Sequence, residues 1–169
     1  MTGTIDQAST AAAAATPVDL ATLGAGAVVA ERTIRLTRDS LVRYAGASGD
    51  FNPIHYRDDV ARSVGLDGVL AHGMLTMGAA VQPVVDLLGD PARILEYGVR
   101  FTRPVFVDAD AGADVTITAK VGKSADEHGV ARIDLTVSFN GQTVLGKAQV
   151  LARVDGVSAV VPAPAGAAA

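Results

Sequence analysis

An aspartate and a histidine five positions apart are the side chains in this sequence best suited to chemistry. Both lie in the segment from Tyr44 to His55, which reads YAGASGDFNPIH. On a continuous helix Asp50 and His55 would point about 140° apart, but Pro53 disfavours helical backbone at Asn52. The chain must therefore turn between the two residues, and such a turn can bring both side chains to one point. A carboxylate beside an imidazole suits general acid–base catalysis.

The same residues also have an ordinary structural explanation. An Asp-x-Asn-Pro string is typical of a turn followed by a helix start, with Asn52 as N-cap and Pro53 at the first helical position. The spacing alone leaves both interpretations open. A helix running from Asn52 to Gly65 would place His55 in its first turn. The positive end of the helix dipole would there disfavour the imidazolium form and leave the ring available as a base.

A second candidate segment is the run AHGM, residues 71–74, directly before an apolar stretch. Gly73 would offer a backbone N–H at a helix N-terminus, a donor suited to a developing oxyanion. Alternatively, Gly73 only makes a tight turn. His72 is predicted to be structural, with its ring hydrogen-bonded near that turn. His128, in the polar string SADEHG, is predicted to be an exposed loop residue.

Other kinds of site are not supported by the sequence. It has no HExxH, P-loop or GxSxG motif, and no GxGxxG between a strand and a helix. The absence of cysteine excludes disulfides, thiolate catalysis and cysteine-ligated metals. His55 with Asp58 or Asp59 could suggest a metal site, but we expect both acids to face solvent and predict no metal.

The elements that must position these residues follow from periodicity and turn signals. A strand over 28–36 precedes a short helix capped by Thr37 and ended by Gly46 and Gly49, and a second helix is predicted over 52–65. A helix over 74–88 is apolar nearly all round and should be buried on most faces, with a kink at Pro83. Four alternating strands are also predicted, over 95–102, 115–121, 132–139 and 144–152. An Asn140-Gly141 type I′ hairpin turn joins the last two.

This pattern predicts an α+β fold: one antiparallel sheet whose apolar face covers a single buried helix. Other α+β arrangements remain open. The 169 residues fit one domain, expected over residues 25–153, with low-complexity tails at 1–24 and 154–169. The formal net charge of −4 argues against nucleic-acid or anionic-membrane binding. We see no targeting signal or membrane span and expect a cytoplasmic protein.

These residues together resemble a known family. The string SGDFNPIH at 48–55, followed by AHGM at 71–74, is similar to the motifs of the MaoC-like, or hydratase-2, branch of hotdog-fold proteins. The stretch from Arg43 to Gly78 is particularly similar to the catalytic B-type subunits of mycolic-acid-type (3R)-hydroxyacyl-ACP dehydratases. The resemblance implies a hotdog fold, a long antiparallel sheet wrapped around a central helix.

The resemblance also implies an activity. Members of the family add water reversibly to trans-2-enoyl thioesters of CoA or acyl carrier protein, or remove it from (3R)-hydroxyacyl thioesters, by syn addition or elimination. By analogy Asp50 and His55 would be the catalytic pair, with His55 as base and Asp50 as acid in dehydration, although the reverse pairing is open. Asn52 would orient the water, and the Gly73 N–H would bind the thioester oxygen. No metal or redox cofactor is expected.

Partners are also implied by the resemblance. Hotdog subunits pair, so we expect a homodimer or a heterodimer with a second hotdog subunit. Arg100 and Arg103 could meet the phosphate of CoA or of a carrier protein, or could simply be solvated charges on the strand. Two other functions remain open: a non-catalytic hotdog subunit and an acyl-thioester hydrolase.

Overall fold

The computed structural model describes residues 16–162, which form three helices and seven strands. The helices are α1 (Arg38–Ser48), α2 (Asp58–Ser63) and α3 (Gly73–Leu88). The strands are β1 (Val18–Asp19), β2 (Val28–Leu36), β3 (Ile94–Phe101), β4 (Ala113–Lys123), β5 (Val130–Phe139), β6 (Gln142–Arg153) and β7 (Ser158–Ala159).

Five of the strands form one antiparallel sheet in the order β2-β4-β5-β6-β3. The alternation predicted from the sequence is present, because β4 and β5 turn every second residue toward the core. The hairpin between β5 and β6 is also confirmed: Asn140 and Gly141 both have positive φ, at 50° and 72°. A type I′ turn requires that conformation at both central positions. The α+β prediction is therefore correct.

Helix α3 packs one face against the apolar side of this sheet. Its buried residues, spaced three to four apart, are Thr76, Ala80, Pro83, Val84 and Leu88. The opposite face is uncovered in the single chain, since Met74 is 57% exposed and Gly78 and Gln82 are also exposed. The expectation of burial on most faces is therefore wrong for the single chain. No helix within residues 16–162 is long and apolar enough to cross a membrane.

The segment after α1 differs from the prediction. Helix α1 has the expected Thr37 cap but continues through Gly46 and ends only at Gly49, which is left-handed with φ 77°. The single helix predicted over 52–65 is instead a 3₁₀ turn, Pro53–His55, followed by the separate helix α2. The two are separated because the backbone at Arg57 is extended. Asn52 does act as a cap, but of the 3₁₀ turn.

The predicted domain boundaries also need correction. Strand β1 pairs with β7, and the backbone N–H of Leu20 donates to the carbonyl of Val157 over 2.9 Å. The side chains of Leu20 and Val157 are buried in the main core. Removing these apolar side chains from water stabilises the attachment of both terminal segments to the domain. Residues 17–24 and 154–161 therefore pack with the domain, whereas residues 1–15 and 163–169 lie outside the described part of the chain.

This correction leads to a test of stability. Leu20 is 4% exposed, so Leu20→Ala should reduce the free energy of unfolding by about 2–5 kcal/mol, the usual result of truncating a buried leucine. Val160, which is 54% exposed, provides the control, and Val160→Ala should change it by less than about 0.5 kcal/mol. Urea denaturation followed by circular dichroism measures both. Equal, small effects would show that the N-terminal segment does not belong to the folded unit.

Candidate active site

A short, tightly turned segment brings Asp50 and His55 together. After the left-handed cap at Gly49, one oxygen of the Asp50 carboxylate (Oδ1) accepts the backbone N–H of Asn52 over 3.2 Å. The side-chain oxygen of Asn52 accepts the N–H of Ile54, also over 3.2 Å. Two successive side-chain-to-backbone turns of this kind hold the chain in a tight bend. The predicted turn between Asp50 and His55 is therefore present.

The ring of His55 is fixed by one hydrogen bond to the main chain. His55 is 7% exposed, and its Nδ1 lies 2.7 Å from the carbonyl oxygen of Leu70. A carbonyl can only accept, so in the neutral ring Nδ1 carries the proton and Nε2 has a free lone pair. The Leu70 carbonyl is itself held in place, because the next residue, Ala71, donates its N–H to Val105. This contact determines which nitrogen can act as a base. The α-helix whose dipole was expected to disfavour the imidazolium is not present at His55, which ends a 3₁₀ turn.

That free nitrogen faces the aspartate. Nε2 of His55 lies 4.0 Å from Oδ2 of Asp50, the carboxylate oxygen not bound to Asn52. This separation is too long for a direct hydrogen bond. A water oxygen about 2.8 Å from each atom would bridge them at roughly a right angle. The carboxylate is 51% exposed and the imidazole 9%, so one member of the pair can reach solvent while the other is held inside.

His72 lies directly beneath this pair. Its Nε2 lies 3.1 Å from the main-chain carbonyl oxygen of Asp50. Its ring stacks on that of His55 with the centroids 3.8 Å apart and the planes 25° from parallel. Burial lowers the pKa of His72, and the nearby His55 adds to the effect. His72 is hydrogen-bonded near the turn, as the sequence predicted, but it also contacts both candidate catalytic residues.

Gly73 and His55 line one largely apolar cavity of about 340 Å³. As the first residue of α3, Gly73 has no acceptor for its N–H within the helix. The ring of Phe101 packs against it so closely that an added Cβ would lie 3.1 Å from the nearest ring carbon. A side chain at this position would therefore crowd the ring beside the exposed N–H. The remaining lining residues are Leu70, Ala71, Thr76, Phe101, Thr102, Arg103, Pro104, Val105, Val144 and Leu145.

The other predicted residues separate into those near the site and those away from it. Arg103 lines the cavity, and its guanidinium donates to the carbonyl of Thr143 over 3.1 Å. Arg100, an exposed residue on edge strand β3, does not line the cavity. His128 is exposed in the turn before β5, as predicted.

A metal ion fits this arrangement poorly, although Asp50, His55 and His72 each offer a ligand atom within 4.8 Å of the others. The two imidazole planes are only 25° from parallel. Because each nitrogen lone pair lies in the plane of its own ring, lone pairs from two stacked rings do not converge on one ion. His55 Nδ1 and His72 Nε2 already face main-chain carbonyls. The alternative with Asp58 or Asp59 is also unsupported, because those carboxylates pair with Arg38 and Arg57.

The ion pair of Arg38 and Asp58 connects the start of α1 to the start of α2, the helix that follows the bend. Arg38 begins α1 and Asp58 begins α2, and the guanidinium binds both carboxylate oxygens at 3.0 and 3.1 Å. The same guanidinium donates to the Val107 carbonyl over 2.6 Å. Two parallel hydrogen bonds fix the orientation of a carboxylate more firmly than one. The pair therefore anchors the segment after His55 to the start of α1.

Comparison with known proteins identifies the family. Residues 21–138 match the family model described as the MaoC-like domain. This chain belongs to the MaoC-like family. Among solved structures, a MaoC-like dehydratase is 34% identical with a TM-score of 0.76, covering 82% of this chain and 43% of that one. An R-hydratase from Pseudomonas aeruginosa is 25% identical with a TM-score of 0.69, covering 89% of this chain and 94% of its own. The hotdog fold implied by the sequence is confirmed.

A curated relative is similar to about half of this chain. The 3-hydroxyacyl-thioester dehydratase X of Mycobacterium tuberculosis is 39% identical over 79 residues. That alignment covers 47% of this chain but only 27% of the relative. The domain thus spans about a quarter of that relative and less than half of the first structural neighbour.

Two features of the site were not predicted from the sequence. One is the carbonyl of Leu70, a main-chain group that any residue could supply, so no sequence signal marks it. The other is the double contact of His72 with Asp50 and His55. The position of His72 directly before Gly73, the glycine predicted to bind an oxyanion, is a sequence signal that His72 lies near the site. That position does not indicate that its ring lies under His55.

The Arg38–Asp58 pair leads to a test with a defined pH dependence. The guanidinium holds the pKa of Asp58 below its ordinary value of 3.8. A lowered native pKa means that the unfolded chain binds the proton more readily, so the stabilisation is present above about pH 4 and is lost as the pH falls below it. Asp58→Asn should therefore reduce the free energy of unfolding by about 1 kcal/mol or less at neutral pH, because the pair is partly solvated.

The comparison of wild type with Asp58→Asn is made by urea denaturation across acidic and neutral pH. The difference between the two proteins should shrink toward zero as the pH falls below 4. Asp110→Asn is the matched control, since Asp110 is an exposed aspartate outside the pair. A difference that stays constant with pH would contradict the assignment of this stability to the ionised carboxylate.

Proposed function

We propose that this chain is an (R)-specific hydratase/dehydratase of acyl thioesters. It would add water reversibly to trans-2-enoyl thioesters and remove it from (3R)-hydroxyacyl thioesters. The observation that carries the proposal is the 4.0 Å separation of His55 Nε2 and Asp50 Oδ2, because one water molecule beside the two atoms could hydrogen-bond to both at roughly a right angle. Relatives support it: one is named 3-hydroxyacyl-thioester dehydratase X, and another, from Rhodospirillum rubrum, (R)-specific enoyl-CoA hydratase.

The reaction needs two proton transfers and one place for negative charge. In hydration, the bridging water loses a proton to one member of the pair as its oxygen bonds to C3 of the enoyl group. The other member, which enters the step protonated, gives its proton to C2. In dehydration the base takes the proton from C2 and the acid gives its proton to the departing hydroxyl, so the pair carries one such proton in either direction. His55 would act as the base in dehydration and Asp50 as the acid, because the His55 Nε2 lone pair is free. Asn52 would position the water through its contact with the Asp50 turn.

The thioester oxygen becomes negative while C2 is deprotonated. The N–H of Gly73, at the start of a 16-residue helix, would donate to that oxygen. Gly73 and His55 line the same cavity, so a thioester bound there would reach both groups. Hydration changes no oxidation state, and the proposal therefore requires no redox cofactor. Arg103 is the better candidate of the two arginines for a CoA or carrier-protein phosphate, because it lines that cavity.

The proposal also includes a partner subunit. The uncovered face of α3 carries Met74 at 57% exposure, and edge strand β3 carries Leu95 at 50% and Phe101 at 54%. Exposed apolar side chains on a helix face and an edge strand are consistent with an interface. A second copy of the chain or a second hotdog subunit would cover them. The cytoplasmic location stays a prediction.

Substitution of the two acid–base residues tests the proposal. Asp50→Asn and His55→Ala should each reduce the hydration rate of crotonyl-CoA by about 10²- to 10⁴-fold, the usual contribution of a general acid or base. The melting temperature should change little for Asp50→Asn, since that residue is exposed. The assay is the loss of ultraviolet absorbance of the conjugated thioester.

His128→Ala is the control, because His128 is exposed and belongs to a remote turn. It should retain the wild-type rate. Wild-type rates in both site variants would contradict the proposed pair. Release of free CoA thiol by the wild type, without hydration, would indicate a hydrolase instead. The third outcome concerns a complex of this chain with a second hotdog subunit. If Asp50→Asn leaves the hydration rate of that complex unchanged, this chain is a non-catalytic subunit.

A further inference from the structure

One buried side chain contacts both members of the proposed catalytic pair. His72 is 2% exposed and lies between α1 and the start of α3. On one side its Nε2 bonds to the main-chain carbonyl of Asp50. One face of the His72 ring stacks on the ring of His55, with the two centroids 3.8 Å apart. The ring of Tyr44, from α1, lies 4.8 Å from it at 57°. His72 is therefore confined from three directions.

The hydrogen bond fixes the proton on His72. The Asp50 carbonyl can only accept, so Nε2 of His72 is the donor and Nδ1 is left without a proton in the neutral ring. Within the described residues Nδ1 is buried and has no hydrogen-bond partner. Protonating Nδ1 would bury both a charge and an N–H without an acceptor, which is costly. His72 thus provides a rigid, uncharged surface beneath His55.

These contacts determine where Asp50 lies relative to His55. The carbonyl bound by His72 belongs to the same residue as the carboxylate that faces His55 Nε2. The Leu70 carbonyl fixes one edge of the His55 ring, and His72 fixes the face of that ring. A displacement of His72 would therefore change the 4.0 Å separation of the two catalytic atoms. Reactions of this kind are sensitive to such changes, since a shift of about 1 Å can reduce a rate by about 100-fold.

We infer that His72 is a positioning residue for the hydration reaction, holding Asp50 by its main chain and His55 by ring stacking. This inference rests on the proposed function. His72 contacts the substrate-facing atoms only through Asp50 and His55, so its removal should lower kcat more than it changes KM. A residue that only stabilised the fold would instead lower the melting temperature and leave kcat per folded molecule unchanged.

Two substitutions separate the two contacts. His72→Phe keeps a ring beneath His55 but removes the donor to Asp50. His72→Gln places an amide donor near the position of Nε2 but removes the ring. His72→Phe should lower the kcat for crotonyl-CoA hydration by about 10- to 100-fold, with KM within about twofold. The kcat of His72→Gln should exceed that of His72→Phe by about two- to tenfold, the rate equivalent of one net hydrogen bond.

His128→Gln is the matched control, an exposed histidine that should retain wild-type kcat and melting temperature. All rates are expressed per folded molecule, from circular dichroism at the assay temperature. If His72→Phe does not fold, the comparison of His72→Gln with wild type carries the test, and its kcat should still fall below wild type because the ring is gone. Wild-type kcat in the folded His72 variants would overturn the inference and leave the proposed function intact. Absence of hydration by both wild type and His128→Gln, for crotonyl-CoA and for a trans-2-enoyl carrier-protein thioester and with a second hotdog subunit supplied, would overturn the proposed function, and this inference with it.

Discussion

The hydrogen bond between His55 and the carbonyl of Leu70 is the constraint on which the site depends. At 2.7 Å it is short, and it joins a buried imidazole to a main-chain group that is itself part of the packed structure. The tautomer follows from this contact, and so does the direction of the free Nε2 lone pair toward Asp50. The bend at 49–57 and the Arg38–Asp58 pair hold the residues on either side of that contact. Without it the imidazole could rotate and present either nitrogen to the carboxylate.

The sheet and α3 supply the rigid frame for this arrangement. Helix α3 is covered on one face by β-strand side chains, and its first residue, Gly73, opens into the cavity that also contains His55. The uncovered face of the same helix lies on the outside of the single chain. One element thus serves the core, the candidate oxyanion donor and the proposed interface. This triple use explains why its sequence is apolar nearly all round while only part of it is buried here.

Much of the fold could be predicted because its signals are local. The alternation in β4 and β5, the Asn140-Gly141 turn and the Thr37 cap each depend on residues a few positions apart. The terminal strands could not be predicted in the same way. Val18 and Asp19 pair with residues about 140 positions away, and a two-residue strand has no periodicity to detect. The prediction of one helix over 52–65 was wrong because the residue types around Arg57 do not indicate that its backbone is extended.

The site was predictable to a similar extent. Asp50, Asn52 and His55 lie within six residues, and the proline between them disfavours a continuous helix, so a turn that could bring them together was predicted from the sequence. The spacing alone did not decide between a catalytic and a purely structural role. The role of Leu70 could not be predicted, since it acts through a carbonyl. The contact of His72 with His55 depends on the path of residues 56–71, which local sequence signals do not predict. Stacked side chains brought together by such a path appear only in three dimensions.

The most direct test of this account is the tautomeric state of the histidines, measured by long-range ¹H–¹⁵N NMR correlation at mildly alkaline pH. The chain has only three histidines, so single substitutions assign every signal. His55 should carry its proton on Nδ1 and His72 on Nε2, two opposite tautomers in one stacked pair. A proton on Nε2 of His55 would contradict the account, because the nitrogen facing Asp50 would then be a donor and no free base would lie at the site.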